Sequence, residues 1–466
     1  MASTSQPASY RPAPALLEIA DFIADPVEPA RFPQAILRFR NDRAAATVGL
    51  ADLTDEQWIA HFGRFETLPD NLPQPLAMRY HGHQFQVYNP DLGDGRGFTF
   101  AQLRDDEGRL LDLGTKGSGT TPYSRFGDGR LTLKGGVREI LATEMLEALG
   151  VNTSRTFSLI ETGEQLQRGD EPSPTRSAVM VRLSHGHIRI GSFQRLAALR
   201  QTDEMVRLVT YVLQHLYGEE PGGEPAVRLL AQVVRRSAAL AASYRAAGFV
   251  HGVLNSDNIN VTGESFDYGP WRFTPFWDPA FTAAYFDAQG LYAFGRQAHA
   301  IHWDVVQLAI ALSNLAPVES LAPVLDSFPQ TYEHAYISAM VARLGVAPRD
   351  EAGDLALVDL IERGLARRSV EIDRFFFDWQ GGRRRAPSPA DASYAEHFDG
   401  LEEALTPYDP SRALDHPYWS DPAPCSMHIA EVESLWAAIA EHDDWEFLNA
   451  KIVAIRRMGE AHLWRN

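Results

Sequence analysis

The sequence predicts an α+β chain of two lobes, β-rich first and helical second, with an extension at each end. Three observations carry this. Glycines and short alternating apolar runs crowd residues 79–136. From Thr202 onward, apolar residues recur at helical spacing. The change of regime falls near residue 195. The divisions expected are an N-terminal extension (1–75), a β-rich lobe (76–195), a helical lobe (196–383) and a C-terminal extension (384–466).

Composition narrows the classes. The chain has 466 residues, 45% hydrophobic and 22% charged, as an ordinary globular protein does. A net charge of -18 argues against nucleic acid and against an anionic membrane surface as partners. No stretch approaches the roughly 20 apolar residues of a membrane span. The opening MASTSQPASYRPAP lacks the regions of a signal peptide, so a cytoplasmic location is expected. The single Cys425 excludes an intrachain disulfide and a cysteine-rich zinc site. Only three of the 43 basic residues are lysines, and two of them, Lys116 and Lys134, lie within 114–136.

In chain order, residues 1–75 are dotted with proline and carry one helix from about Asp55 to Phe65. Gly93, Gly95 and Gly97 surround Asp94 and Arg96, a pattern that suits either plain turns or a phosphate cradle. Residues 98–103 and 110–115 alternate around a turn and predict a β-hairpin. Lys116, at its end, is either a phosphate clamp or a solvated strand end. Asp128 is bracketed by Gly127 and Gly129, ahead of a helix from about Gly136 to Leu149. That helix offers Glu139 and Glu144 as partners for Lys116, and its apolar period favours Glu144. Arg182 and Arg189 flank a turn holding His185 and His187; they form an anion site or a charged surface. A zinc reading of the two histidines lacks spaced further ligands.

Helices are expected from Thr202, over 225–247, and around 302–315, 317–325, 331–343 and 354–378, with a last segment from 428. The Pro-, Asp- and Ser-rich stretch 384–425 is expected as a linker or surface wrap. The helix over 225–247 stops at Gly248 and feeds His251-Gly-Val-Leu-Asn-Ser-Asp-Asn258, and Phe266-Asp-Tyr-Gly269 follows. The order His-x-x-Leu-x-x-x-Asn, then Asp-aromatic-Gly, is that of a protein-kinase catalytic core, so the two-lobed fold is expected to be protein-kinase-like. Asn258 and Asp267 can share one Mg²⁺ with substrate phosphates. The position of the kinase base holds Val253, which cannot accept a proton, and Asp257 is the nearest replacement.

Together, GHQF at 82–85, LGDGR at 92–96, KGSGTTPYSR at 116–125, GDGR at 127–130, REIL at 138–141, Arg182 with Arg189, HGVLNSDN at 251–258 and FDYG at 266–269 resemble the selenoprotein O family. The resemblance implies a kinase-like fold that holds ATP reversed. AMP then passes to Ser, Thr or Tyr hydroxyls of proteins, with its own chain left open as an acceptor. It places ATP binding on Gly93, Gly95, Arg96, Lys116, Asp128, Gly129, Arg182, Arg189 and Asp267. The Mg²⁺ or Mn²⁺ ligands fall on Asn258 and Asp267, the base on Asp257, and the lysine's ion-pair partner on Glu139. Three features depart from the family: Gln86 and Tyr88 stand where Gly and Trp are expected, the HLWRN end carries no cysteine, and the usual Asn- and Arg-rich tail segment is not recognisable. Two further readings are a phosphotransferase using Asp257 and an ATP-binding scaffold without catalysis.

Overall fold

Strands within the first 184 residues form one large antiparallel sheet and one small hairpin. The computed structural model describes residues 9–462 apart from 170, 221 and 386, so parts of both terminal readings lie outside the described residues. The strands are β1 (Ala24–Pro26), β2 (Ile36–Arg40), β3 (Leu76–Met78), β4 (Gly82–Gln84), β5 (Val87–Asn89), β6 (Thr99–Arg104), β7 (Leu110–Lys116), β8 (Leu131–Thr132), β9 (Arg155–Leu166) and β10 (Thr175–Ser184). The eight-stranded sheet runs β1-β3-β6-β7-β10-β9-β2, with β8 against β10. The first 75 residues thus supply strands at both edges of this sheet. β4 and β5 form a separate small hairpin.

The helix Leu133–Ala148 lies against β9 and β10, and its N-terminus is capped by Thr132, whose hydroxyl accepts from the Gly135 amide at 3.1 Å. It is buried almost all round, because the terminal helix Glu446–His462 covers it from the other side. Arg456 of that helix grips Glu144 with bonds of 2.8 and 2.5 Å.

Past Ser184 the chain is mainly helical. The central helix Pro225–Ala247 begins with proline at its first turn and ends at Gly248, whose φ of 69° favours glycine. Helices Gln297–Leu312 and Phe328–Leu344 pack on it. The single helix expected over 354–378 is two, Glu351–Leu365 and Ile372–Asp378, parted where Arg368 takes a φ of 55°. Residues 384–425 are no loose linker. Short helices there bury Tyr394, Phe398, Leu401 and Leu405 in the helical core, and Tyr418 and Trp419 join the main core. Scattered aromatics among Pro, Asp and Ser conceal that packing from any periodicity.

Candidate active site

Where the glycine-rich side of the sheet meets the loops after the central helix, the described residues enclose a cavity of about 720 Å³. Gly93, Gly95 and Arg96 enter it from the loop before β6, Lys116 from the end of β7, and Asp128 and Gly129 from the loop before β8. Arg182 on β10 and Arg189 at the head of the helix Ile190–Ala198 form its inner wall. Asp257, Asn258 and Asp267 face them from the helical lobe, and Val253 lies beside these.

Close packing accounts for two of the glycines. A Cβ on Gly93 would sit 2.2 Å from the Tyr123 ring, and one on Gly129, at φ 70°, 2.2 Å from the Gly119 backbone. The loop of 117–130 is therefore folded tightly back on 93–97. Tyr123, Arg125 and Arg130 of that loop also line the cavity, as does Arg168 from the turn between β9 and β10.

Charge is concentrated at the buried end. Lys116, Arg182 and Arg189 are 8%, 4% and 3% exposed. All three surround the Asp267 carboxylate: Arg182 bonds one oxygen, Arg189 the other at 2.8 Å, and Lys116 stands at 3.9 Å. Burial pushes the Asp267 carboxyl up, but these cations outweigh it and hold the group well below the usual carboxylate range. Asp267 also adopts a φ of 59°, uncommon for a residue with a Cβ, and the same contacts hold it there.

Lys116 is ion-paired to Glu139, behind the cavity wall, and not to Glu144. Lys134 points away, to Glu433 at 2.7 Å. Burial lowers the Lys116 ammonium from its ordinary value while Glu139 and Asp267 support its charge. Arg189 is the cross-link of the site. It donates to the Asp257 carbonyl at 2.9 Å, pairs with Asp94 at 3.2 Å, and stacks on Tyr80 and Phe266. His187 bridges Asp112, at 3.0 Å, and the Arg182 Nε, at 3.2 Å, so it orients that arginine.

Asp257 is mostly buried, and one of its oxygens, Oδ1, has no hydrogen-bond partner. Burial pushes its carboxyl up to about 6, with Asp267 adding to the rise and Arg189 opposing it. A carboxylate poised near neutrality is suited to general-base work.

The family model described as Protein adenylyltransferase SelO matches residues 8–400. The chain belongs to the SelO family. Two curated relatives are named Protein nucleotidyltransferase YdiU. The one from Synechocystis sp. is 41% identical over 94% of this chain and 96% of its own. The one from Gloeobacter violaceus is 43% identical over 93% and 92%. The chain is accordingly a nucleotidyltransferase. Among solved structures, ROP2 from Toxoplasma gondii, a protein-kinase-fold virulence factor without enzymatic activity, aligns over 75% of this chain and 90% of its own, at 10% identity and a TM-score of 0.27.

In this SelO-family site the donor set suits a hard divalent cation. Asn258 gives its amide N–H to the Val253 carbonyl at 3.0 Å, which leaves its side-chain oxygen as an acceptor, and the Asp267 carboxylate lines the same cavity. Two protein oxygens completed by substrate phosphates is a common Mg²⁺ arrangement. No cluster of three or more His, Cys, Asp or Glu residues with metal-binding geometry occurs among the described residues. Nor does any described helix have the length and apolarity to cross a membrane.

Sequence reasoning assigned no role to Asp94, Tyr123, Arg125, Arg130 or Arg168. Asp94 lay inside a quoted motif. Arg168, in a polar turn, carried no signal at all, yet it forks onto Asp128 with bonds of 2.9 and 3.0 Å.

Proposed function

We propose that the chain transfers AMP from ATP to Ser, Thr or Tyr hydroxyls of proteins, releasing diphosphate, with the nucleotide reversed relative to a kinase. One observation carries this reading. The cavity lining holds seven basic and four acidic residues, in a chain whose net charge is -18, and its three most buried cations cluster at one end. A polyphosphate belongs at that end. The nucleoside then falls toward the exposed rim, where Asp128 lies with the buried Gly129 behind it.

In this arrangement Lys116, Arg182 and Arg189 hold the departing diphosphate and offset its growing charge. Glu139 fixes the lysine, and His187 fixes Arg182. Mg²⁺ or Mn²⁺ bound by Asn258 and Asp267 would supply further neutralisation at the reacting phosphate. Asp257 takes the proton of the attacking hydroxyl, the task Val253 is unable to perform. Arg189 ties the backbone that carries the base to the metal-side carboxylate, since one guanidinium nitrogen bonds both the Asp257 main-chain carbonyl and the Asp267 carboxylate. Transfer of this kind depends mainly on positioning and charge, and the site supplies both.

The test is the intact mass of the chain and of an added hydroxyl-rich acceptor protein after incubation with ATP and Mg²⁺ or Mn²⁺. An AMP-sized gain that Asp267→Ala abolishes is expected. A phosphate-sized gain on either protein would replace the reading with a phosphotransferase. No gain on either would leave an ATP-binding scaffold.

A further inference from the structure

The small β4–β5 hairpin is built in an unfavourable way. Gln84 pairs with Val87, leaving Phe85 and Gln86 as a two-residue turn with φ values of 50° and 62°. Such turns need positive φ at both positions and favour Asn-Gly. A bulky Phe there is an outlier that persists only where its surroundings enforce it.

The surroundings that enforce it belong to the active-site loop. The Phe85 amide donates to the Asn255 side chain at 3.1 Å, and the His83 amide to the Ser256 hydroxyl at 2.8 Å. Tyr292 bonds the same Asn255 oxygen at 2.7 Å. A Cβ on Gly82 would come within 2.9 Å of the Asp257 side chain. The hairpin thus rests directly on the segment that carries Asp257.

What the strained turn holds out is an aromatic ledge. The Phe85 ring meets Tyr292 at 5.1 Å and Phe286 at 6.0 Å, and Phe286 meets Tyr285 at 5.2 Å. Tyr285 is 88% exposed, Val87 69%, Phe286 48% and Phe85 38%. A contiguous exposed aromatic patch marks an interaction surface, and aromatic anchors dominate binding at such surfaces. This one is carried by the hairpin that packs on residues 255–257, and in the proposed reading the acceptor hydroxyl must come to Asp257.

We propose that the ledge of Phe85, Tyr285 and Phe286 binds the acceptor polypeptide through an apolar side chain flanking the modified hydroxyl. The proposal rests on the protein-adenylylation reading and adds a sequence preference to it. A hydroxyl flanked by leucine, or by a larger apolar side chain, is favoured over one flanked by glycine.

The test uses the full chain, labelled ATP and two serine peptides that differ only in leucine or glycine on either side of the serine. For the unaltered chain, kcat/KM is expected to be roughly tenfold higher on the leucine peptide, the effect of about 1.4 kcal/mol. Tyr285→Ala with Phe286→Ala, and separately Phe85→Gly, which keeps the turn's φ, should erase that ratio by raising the KM for the leucine peptide. ATP affinity and the rate on the glycine peptide should hold. Equal rates on the two peptides, or variants that keep the ratio, would overturn the ledge while leaving adenylylation standing. Loss of the ratio together with loss of self-association in sedimentation would assign the ledge to a second copy of the chain and overturn the proposal. If neither peptide gains AMP from the unaltered chain while the chain or an added protein does, the peptide-docking proposal alone fails; if nothing gains AMP, the adenylylation reading fails and takes the proposal with it.

Discussion

Glu144, the carboxylate that helical spacing offers to Lys116, is held by Arg456 of the terminal helix instead, at 2.5 Å. The two glutamates of one helix therefore have separate tasks. Glu139→Gln should lower kcat on the order of 100-fold by letting Lys116 drift from the phosphates. Glu144→Gln should leave kcat near its original value and cost about 1–3 kcal/mol of stability through the weakened Arg456 bond. Steady-state rates and thermal melts on both variants separate the two roles.

If Asp257 is the base, as proposed, the rate has a pH profile. With its carboxyl near 6, the proton-accepting form gains population as pH rises, so kcat should climb between about pH 5 and 7 and then level. Asp257→Asn should lower kcat by about 10²–10⁴-fold and flatten that limb. A limb unchanged in the variant would assign the titration elsewhere.

Glu264 gives a pH effect on stability rather than rate. It is buried beside His185, whose amide donates to it at 2.9 Å. Burial pushes its carboxyl up to about 8, with that N–H, Arg155 and Arg109 opposing. An unfolded glutamate titrates near about 4.3, so across the window between these values the folded chain keeps a proton that the unfolded chain has lost. Stability is therefore lost as pH rises through this window. Glu264→Gln stays neutral, and its melting temperature should fall less than the original's between about pH 5 and 8.

Arg168 should matter to ATP more than to the fold. Its fork on Asp128 ties the turn after β9 to the loop of 117–130 at the cavity rim. Arg168→Ala should raise the KM for ATP several-fold with kcat and melting temperature nearly unchanged. Combined with Asp128→Asn, the two effects should not add.

Much of this was legible in the chain because local signals sufficed. Pro225 and Gly248 bound the central helix, and alternation gave the hairpin of β6 and β7. The choice between Glu139 and Glu144 was not legible from period. A helix covered by the sheet on one side and by Glu446–His462 on the other has no single buried face. Nor were Asp94 and Arg168, whose partners lie 95 and 40 residues away. The aromatics of 394–419 follow no repeat, so only the folded chain shows them packed. The strained turn at Phe85 and Gln86 runs against its own residue preferences, and such a conflict with local rules is expected at a working site.

The most direct measurement compares ATP labelled at the α-phosphate with ATP labelled at the γ-phosphate, each incubated with the chain, a divalent cation and acceptor protein. The α-label should stay with the acceptor, the γ-label should leave as diphosphate, and Asp267→Ala should abolish both signals. Retention of the γ-label on the acceptor would contradict the reversed nucleotide and the transfer of AMP.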